Sequence, residues 1–348
     1  MQTFSIGDRK IGAGQPCFII GEVAQAHDGS LNFAHSFIDS VANAGADAVK
    51  FQTHIAAAES SPDEQWRVRF SKQDDSRFDY WKRMEFTPEQ WRGLKEHADS
   101  RGLGFLSSPF SLAAVELLSN IGIQVWKIAS GEVRNSMLLD KIIATKLPVL
   151  LSSGMSSWKE LEETVALLKQ NEIPFLLMQC TSAYPCPPER IGLNLLNEMK
   201  DRFGCETGLS DHSGMIYPAL AAATLGAKVV ELHVTWDRTM FGPDAVASVT
   251  FAELKELVKA IRYTETMLTH PVNKEIEASN LEAMRKMFGQ SLVAAKNLPA
   301  GVTLTAADLT SKKPQIGIPV AQYRNVLGSK TKRIITEGEF LQFTDIQK

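Results

Sequence analysis

The sequence has no apolar run approaching the ~18 residues that a membrane-spanning helix needs. Its first residues, MQTFSIGDRKIGAGQP, lack the apolar core of a signal peptide. These absences set the expectation of a cytoplasmic protein with no membrane partner. A basic excess is also missing: 37 Lys and Arg stand against 40 Asp and Glu, for a net charge of −3. That argues against a broad nucleic-acid surface, though not against a small basic pocket. The four cysteines, Cys17, Cys180, Cys186 and Cys205, form no CxxC pair or metal-type cluster and read as reduced thiols. Neither GxGxxG nor GxxxxGK[ST] follows any predicted strand, so the common dinucleotide and nucleotide loops are absent. What remains is ordinary for a globular chain: 348 residues, 44% hydrophobic and 22% charged.

The positive signal is alternation. Short apolar, β-branched runs precede longer amphipathic stretches: CFIIGEVA before LNFAHSFIDSVANAGA, PVLLSSG before SWKELEETVALLKQ, VVELHVT before FAELKELVKAIRYTETML. Eight such units fit into about 250 residues, the stoichiometry of a (β/α)8 TIM barrel rather than a doubly wound open sheet. Thr87-Pro88-Glu89-Gln90 marks a helix start, and Gly45, Gly102, Gly122 and Gly226 mark helix ends. Residues 56–86 are the one long insertion, at the functional rim of a barrel. Its Trp66, Arg67, Arg69, Phe70, Tyr80, Trp81, Lys82 and Arg83 suit a lid, a partner contact or a solvated loop. The expected organisation is a barrel domain over 1–270, a linker with one short helix over 271–288, and a small β-rich module over 289–348. That module begins where short runs broken by Gly and Pro replace the alternation, near 285–290.

Parallel strands covered on both faces should be almost wholly apolar. Lys50, Lys127, Glu231 and His233 break that rule, all near predicted strand ends. A buried charge is costly unless paired, so four violations at one end point to chemistry. The same ends carry Glu22; Gln52 and His54 on the face of Lys50; Ser108; Ser130 and Glu132; Ser152, Ser153 and Gly154; Ser182 and Tyr184; Ser210, Asp211 and His212; and Asp244. His212 and His233 end adjacent strands and suit a divalent metal, with Asp211, Glu231 or Glu22 as orienting carboxylates. Lys50 and Lys127, ringed by serines and the Ser153-Gly154 turn, match a phosphate and a carboxylate on one small molecule. A Schiff-base lysine, as in barrel aldolases, is the rival use.

In order, GEVAQAHDGSL, VKFQTHI, KIASGE, LSSGM, TSAYPCP, GLSDHS and ELHVT resemble the N-acetylneuraminate (sialic acid) synthase family, which includes legionaminic and pseudaminic acid synthases. SLVAAKNLPAGVTLTAADL, IGIPVAQYRNVLGSK and ITEGEFL resemble the antifreeze-like (SAF, β-clip) domain that follows the barrel in such enzymes. The resemblance implies condensation of phosphoenolpyruvate with an open-chain N-acylhexosamine such as N-acetylmannosamine. A nine-carbon 3-deoxy-2-keto acid forms and phosphate leaves. It implies Mn2+ or Mg2+ on His212 and His233, the phosphoenolpyruvate carboxylate on Lys50 and Ser108, and its phosphate on Lys127, Ser130, Ser153, Ser182 and Ser210. Glu22, Gln52, Tyr184 and Asp244 would contact the sugar, Glu132 would lie near C2, and Lys313 would stand where sialic acid synthases place an acyl-reading Arg. A domain-swapped homodimer is implied as well. Ala26, Ser182 and Lys313 depart from the family pattern and bear on which sugar is taken. The competing functions are a phosphosugar synthase, with Arg67, Arg69, Arg83 and Arg238 as a second basic cluster, a Schiff-base aldolase, or a non-catalytic saccharide-binding scaffold.

Overall fold

A computed structural model describes residues 3–66 and 69–348. The chain divides into two compact units, Met1–Thr269 and His270–Lys348. In the first, eight strands run parallel: β1 (Phe18–Ala24), β2 (Ala48–Thr53), β3 (Gly104–Pro109), β4 (Trp126–Ile128), β5 (Val149–Ser152), β6 (Phe175–Cys180), β7 (Glu206–Asp211) and β8 (Val229–Thr235). Hydrogen-bonded neighbours run β3-β2-β1-β8-β7-β6-β5-β4. Strands β3 and β4 lie side by side at the remaining seam without a ladder. The result is the nearly closed (β/α)8 barrel expected from the alternation.

The strand pleat sorts residues into two layers. Facing the barrel axis, Phe18, Ile20, Ala48, Leu106, Val125, Leu150, Leu176, Met178 and Val229 fill the interior. Phe4, Ile6 and Ile11 of an N-terminal hairpin join the same cluster and stop the lower end. Facing outward, Ile19, Val49, Phe105, Leu151, Leu177 and Val230 pack under the helices. Fully burying a side chain of this size is worth about 1.5–3 kcal/mol, so a slip of one residue in any strand would exchange the two layers.

The helices are α1 (Leu31–Ala44), α2 (Pro88–Ser100), α3 (Leu112–Asn120), α4 (Ser136–Ala144), α5 (Trp158–Gln170), α6 (Asn194–Phe203), α7 (Tyr217–Thr224) and α8 (Phe251–Thr269). Thr87 caps α2 in a box with Gln90, and Pro88 takes the first helical position, as the sequence predicts. Gly45 ends α1 in the left-handed region at φ 83°. No helix among the described residues is long and apolar enough to cross a membrane.

The insertion at 56–86 folds back on itself. Its helix Arg77–Met84 starts at a Ser76–Asp79 capping box. Arg83 anchors it, with Nη2 2.8 Å from Asp74 Oδ2 and Nη1 2.8 Å from Asp28 Oδ1. Trp66, Phe70 and Tyr80 pack edge to face or tilted, with centroids 5.0–5.9 Å apart. Arg67 lies outside the described residues.

In the second unit, the stretch expected to be a linker with one short helix holds two, Lys274–Asn280 and Glu282–Phe288. The second compact unit, His270–Lys348, includes both of these helices. Beyond them, Ser291–Ala294 pairs antiparallel with Leu309–Lys312, and Lys330–Thr331 with Ile346–Gln347. Leu292, Leu298, Leu304, Ile318, Val326, Ile335 and Leu341 form its own core.

Candidate active site

The interior parity of the strands carries straight into a cavity of about 730 Å3 at their C-terminal ends. On six strands, two residues beyond the last barrel-filling side chain stands a polar one: Glu22 after Ile20, Lys50 after Ala48, Ser108 after Leu106, Lys127 after Val125, Ser152 after Leu150, and Glu231 after Val229. All six line the cavity. The β1–β2 pairing shifts register between Glu22 and Ala24, and Ala24 sits at φ 47°. Such a bulge bends the strand where pairing ends, and Gln25 beyond it lines the cavity too.

The two lysines are not free cations. Lys50 Nζ is in direct contact with Glu22 Oε2 and lies 3.8 Å from Glu231 Oε1. Lys127 Nζ donates to Ser152 Oγ at 2.6 Å and lies 3.6 Å from the same Glu231 oxygen, which also accepts from Ser210 Oγ at 3.0 Å. All four charged groups are buried. Burial opposes the charge on Lys50, but Glu22 and Glu231 outweigh it and hold the ammonium above its usual range. Lys127 goes the other way: burial, against the pull of Glu231, pushes it down. Burial would raise the carboxyl of Glu231, yet Lys127 and Lys50 hold it down at about 2. Glu231 Oε2 has no hydrogen-bond partner among the described residues.

Gly154 shapes the neighbouring wall. A Cβ there would stand 2.6 Å from Ser130 Oγ, 2.7 Å from Ser182 Oγ and 2.9 Å from Cys180 Sγ. The absent side chain leaves a cradle of hydroxyls, and Gly154 N donates to Ser130 Oγ at 3.1 Å.

Across the cavity, the rings of His212 and His233 are 5.3 Å apart. His212 Nδ1 faces the Thr181 carbonyl at 3.0 Å. A carbonyl can only accept, so Nδ1 carries the proton and Nε2, 3.1 Å from the Tyr184 hydroxyl, keeps a lone pair. Burial, then the neighbouring His233, push His212 down to about 3, so the ring is neutral near pH 7. Asp244 Oδ2 lies 3.9 Å from His233 Nδ1. Among the described residues no group of three His, Cys, Asp or Glu forms a metal cage. Two imidazoles facing each other from adjacent strand ends fit a divalent ion whose other positions are open to water and substrate.

The cavity thus gathers Glu22, Lys50, Gln52, Ser108, Lys127, Ser130, Glu132, Ser182, Tyr184, Ser210, His212, His233 and Asp244 from the sequence reading. Ser153 departs from it. Its N–H and its hydroxyl both donate to the Met178 carbonyl, at 3.0 and 3.1 Å, and its side chain is outside the lining. The pleat turns Ser152 inward instead. Asp211 likewise faces away, accepting from Ser213 Oγ at 2.6 Å, and burial raises its carboxyl to about 6. Lys313 belongs to the second unit, where its ammonium lies 5.4 Å from the Phe288 ring centroid. Of the arginines considered for a second anion site, Arg83 is held by Asp74 and Asp28, and Arg238 Nη2 lies 2.7 Å from Glu253 Oε2. Neither they nor Arg69 line the cavity.

Several lining residues have no place in the sequence reading of the site, among them Gln25, Cys180, Phe110 and the contact of Trp81 with His54. Gln25 Nε2 donates to Gln52 Oε1 at 3.0 Å, while Gln52 Nε2 donates to Glu22 Oε1 at 3.2 Å. Cys180 is the inward residue ending β6. Trp81 and Phe110 sandwich His54 at 4.0 and 4.5 Å. Cys180 was legible from parity with Met178; the aromatic pair had no sequence signal tying it to His54.

Comparison with known proteins agrees with this architecture. The NeuB family model matches residues 37–273, and the SAF domain model matches residues 289–347. The chain is 34% identical over 335 residues to the N,N'-diacetyllegionaminic acid synthase of Campylobacter jejuni, covering 93% of this chain and 98% of the relative. It is 33% identical over 336 residues to the N-acetylneuraminate-9-phosphate synthase of Homo sapiens, covering 95% and 93%. Among solved structures, the N-acetylneuraminic acid (sialic acid) synthetase of Leptospira borgpetersenii, in complex with citrate, superposes with a TM-score of 0.71 at 31% identity. That match covers 82% of this chain and 97% of the other. The chain therefore belongs to the NeuB family, its barrel followed by a SAF domain, and its named relatives are synthases of sialic- and legionaminic-type acids.

Proposed function

We propose that this protein condenses phosphoenolpyruvate with the open-chain aldehyde of an N-acylhexosamine to give a nine-carbon 3-deoxy-2-keto acid and phosphate. The observation that carries this reading is the pair of buried ammoniums, Lys50 and Lys127, set among hydroxyls beside the imidazole pair. Lys127 and the hydroxyls of Ser130, Ser152, Ser182 and Ser210 take the phosphate, and Lys50 with Ser108 takes the carboxylate. A planar, doubly anionic ligand is held at both ends, and its C3 is left facing the histidine side. Gln52, Tyr184 and Asp244 orient the acceptor there. The C–C bond forms between C3 and the aldehyde carbon. Water then adds at C2, and the C2–O bond to phosphate breaks as the ketone forms. Glu22 and Glu132 are the carboxylates that move protons at the aldehyde oxygen and at the water. His212 and His233 would hold Mn2+ or Mg2+, which when bound polarises the acceptor oxygen as a Lewis acid.

The reading places the enzyme in the cytoplasm as a homodimer whose SAF domain caps the partner's barrel. A full-length dimer by sedimentation, lost on removing residues 289–348, is the expected result. The lowered ammonium of Lys127 favours one rival, a Schiff-base aldolase. The decisive assay is phosphate release from phosphoenolpyruvate across N-acylated hexosamines and 6-deoxy di-N-acetyl hexoses, after EDTA and with Mn2+ restored. Acceptor-dependent release only with metal is the expected result. Borohydride trapping of a substrate on Lys127 would establish the aldolase instead, and silence across the whole panel would leave a saccharide-binding scaffold.

A further inference from the structure

The outer wall of the cavity is built by the insertion against the ends of β2 and β3, and His54 sits at its centre. The buried ring lies between two aromatic faces, Trp81 at 4.0 Å and 18° and Phe110 at 4.5 Å and 9°. The Arg77 guanidinium extends the stack, 5.3 Å from the Trp81 ring centroid, with its Nε 3.0 Å from Glu64 Oε1. Both nitrogens of His54 face acceptors. Nδ1 lies 2.6 Å from Glu59 Oε1, and the two side chains are only 3% and 8% exposed. Glu59 Oε2 accepts from the Ile55 N–H at 3.2 Å, so this carboxylate is fixed at both oxygens. On the other side of the ring, Nε2 lies 3.3 Å from Gln52 Oε1.

Glu22 settles which end of the Gln52 amide faces His54. That carboxylate is in contact with the Lys50 ammonium, and its other oxygen accepts from Gln52 Nε2 at 3.2 Å. A carboxylate only accepts, so the amide nitrogen points to Glu22 and the amide oxygen to His54. Gln25 Nε2 donates to the same oxygen at 3.0 Å. A neutral His54 would give its one N–H to Glu59 and turn a lone pair on Gln52 Oε1, with no proton between them. An imidazolium donates to both. Its charge is matched by Glu59, and the two aromatic faces favour a cation between them. The other charged groups around it are already engaged: Glu22 with Lys50, Glu64 with Arg77, and Glu85 Oε1 with the Ala56 N–H at 2.7 Å. From β3 and its end, Ser108 and Phe110 line the cavity and neither is charged.

Building on the condensation reading, we infer that His54 is held doubly protonated and serves as a positioning residue: it donates to Gln52, which thereby keeps its amide N–H on Glu22 and sets the carboxylate that moves protons at the acceptor. Both lone pairs of Gln52 Oε1 are then spent, and one amide N–H remains for the acceptor. The full-length enzyme, isotopically labelled at its histidine nitrogens, is studied by NMR near neutral pH. The His54 resonances are assigned by their absence from a His54→Phe or His54→Asn sample. Two ring nitrogens of the protonated type are expected. His54→Phe preserves the aromatic stack and removes both donors. It should retain the circular dichroism spectrum and the KM for phosphoenolpyruvate, and lower kcat about 10- to 100-fold, the range of one charge-assisted hydrogen bond. Glu59→Gln leaves an acceptor for Nδ1 but removes the opposing charge. It should leave one ring nitrogen bare and lower kcat about 10-fold. A ring that only fills the stack would leave kcat of His54→Phe unmoved, and that result overturns the inference. So does a bare ring nitrogen at His54 in the unaltered enzyme. Should His54→Phe fail to fold, Glu59→Gln carries the kinetic test, and an unchanged kcat there overturns the inference as well. An unaltered enzyme that turns over no acceptor of the panel removes the condensation reading and this role together, whereas unmoved variants of an active enzyme remove only the role.

Discussion

The floor of the cavity buries its charged groups, whereas the Arg77–Glu64 pair at the outer wall is only half-buried, and the two regions organise charge differently. At the floor, two lysines and two carboxylates from four strands are shared, and the central Glu231 oxygen serves Lys50, Lys127 and Ser210 together. Removing any member disturbs all the others. At the wall, Arg77 pairs with Glu64 and His54 with Glu59, on the insertion or beside its start, and the rings between them are stacked. Shared charge on barrel strands suits a fixed chemical step, whereas the Arg77–Glu64 pair on the inserted segment can be changed without touching that step.

The largest effect that would test this contrast is at the floor. Lys127→Met should lower kcat at least 1,000-fold, and should also destabilise the barrel by about 3 kcal/mol because Glu231 loses a buried partner. Thermal unfolding with and without the second change Glu231→Leu separates the two effects. The double variant should regain stability while staying inactive. Recovered activity in that variant would show that the floor is a structural ion cluster.

Next in size is the imidazole pair. His233→Ala should abolish metal-dependent turnover and reduce Mn2+ binding, followed by its electron paramagnetic resonance signal, with the circular dichroism spectrum retained. Unchanged Mn2+ binding would move the metal elsewhere.

A smaller effect sharpens the parity argument. Ser152→Ala should raise KM for phosphoenolpyruvate about 10-fold, a loss of roughly 1.4 kcal/mol. Ser153→Ala should leave KM near its original value and lower stability by about 1 kcal/mol, since it removes a buried hydrogen bond to Met178 and nothing at the cavity. The reverse pattern would contradict the inward placement of Ser152.

The smallest effect lies behind the wall. His27 is buried 4.7 Å from the Phe86 ring, with Nδ1 accepting from Gly29 N at 3.1 Å. Burial, then His54 and Arg83, push it from the ordinary 6.5 down to about 3. Between those values the unfolded chain binds a proton that the folded one refuses, so stability falls as pH drops from 6.5 toward 3. His27→Asn should lower overall stability but flatten that slope in urea titrations. A slope unchanged by the substitution would assign the acid sensitivity to other groups.

Much of the floor was legible because burial and charge conflict there. Lys50, Lys127, Glu231 and His233 stand out in strands that should be apolar, and the eightfold alternation says which ends converge. The error at Ser153 has a simple origin. Two adjacent serines end one strand, and only the inward frame of Leu150 decides between them. The counterions of the lysines were harder to assign, since Glu22 and Glu231 read equally well as sugar contact and metal orienter. Of the wall, only an aromatic, charged insertion at the functional rim was legible, not how its residues meet. His54 meets Trp81 and Phe110 through a long insertion and a separate strand, and no short-range pattern encodes such an encounter.

The sharing of Lys50 and Lys127 by Glu231 has one further consequence. A dianion that draws those ammoniums toward itself weakens the field that keeps this carboxyl ionised. Its proton affinity then climbs back from about 2 toward the ordinary 4.5, so ligand capture is coupled to proton uptake between those pH values. In acidic buffers of that range the heat of phosphoenolpyruvate binding should change with the ionisation enthalpy of the buffer, in the direction of protons leaving solution.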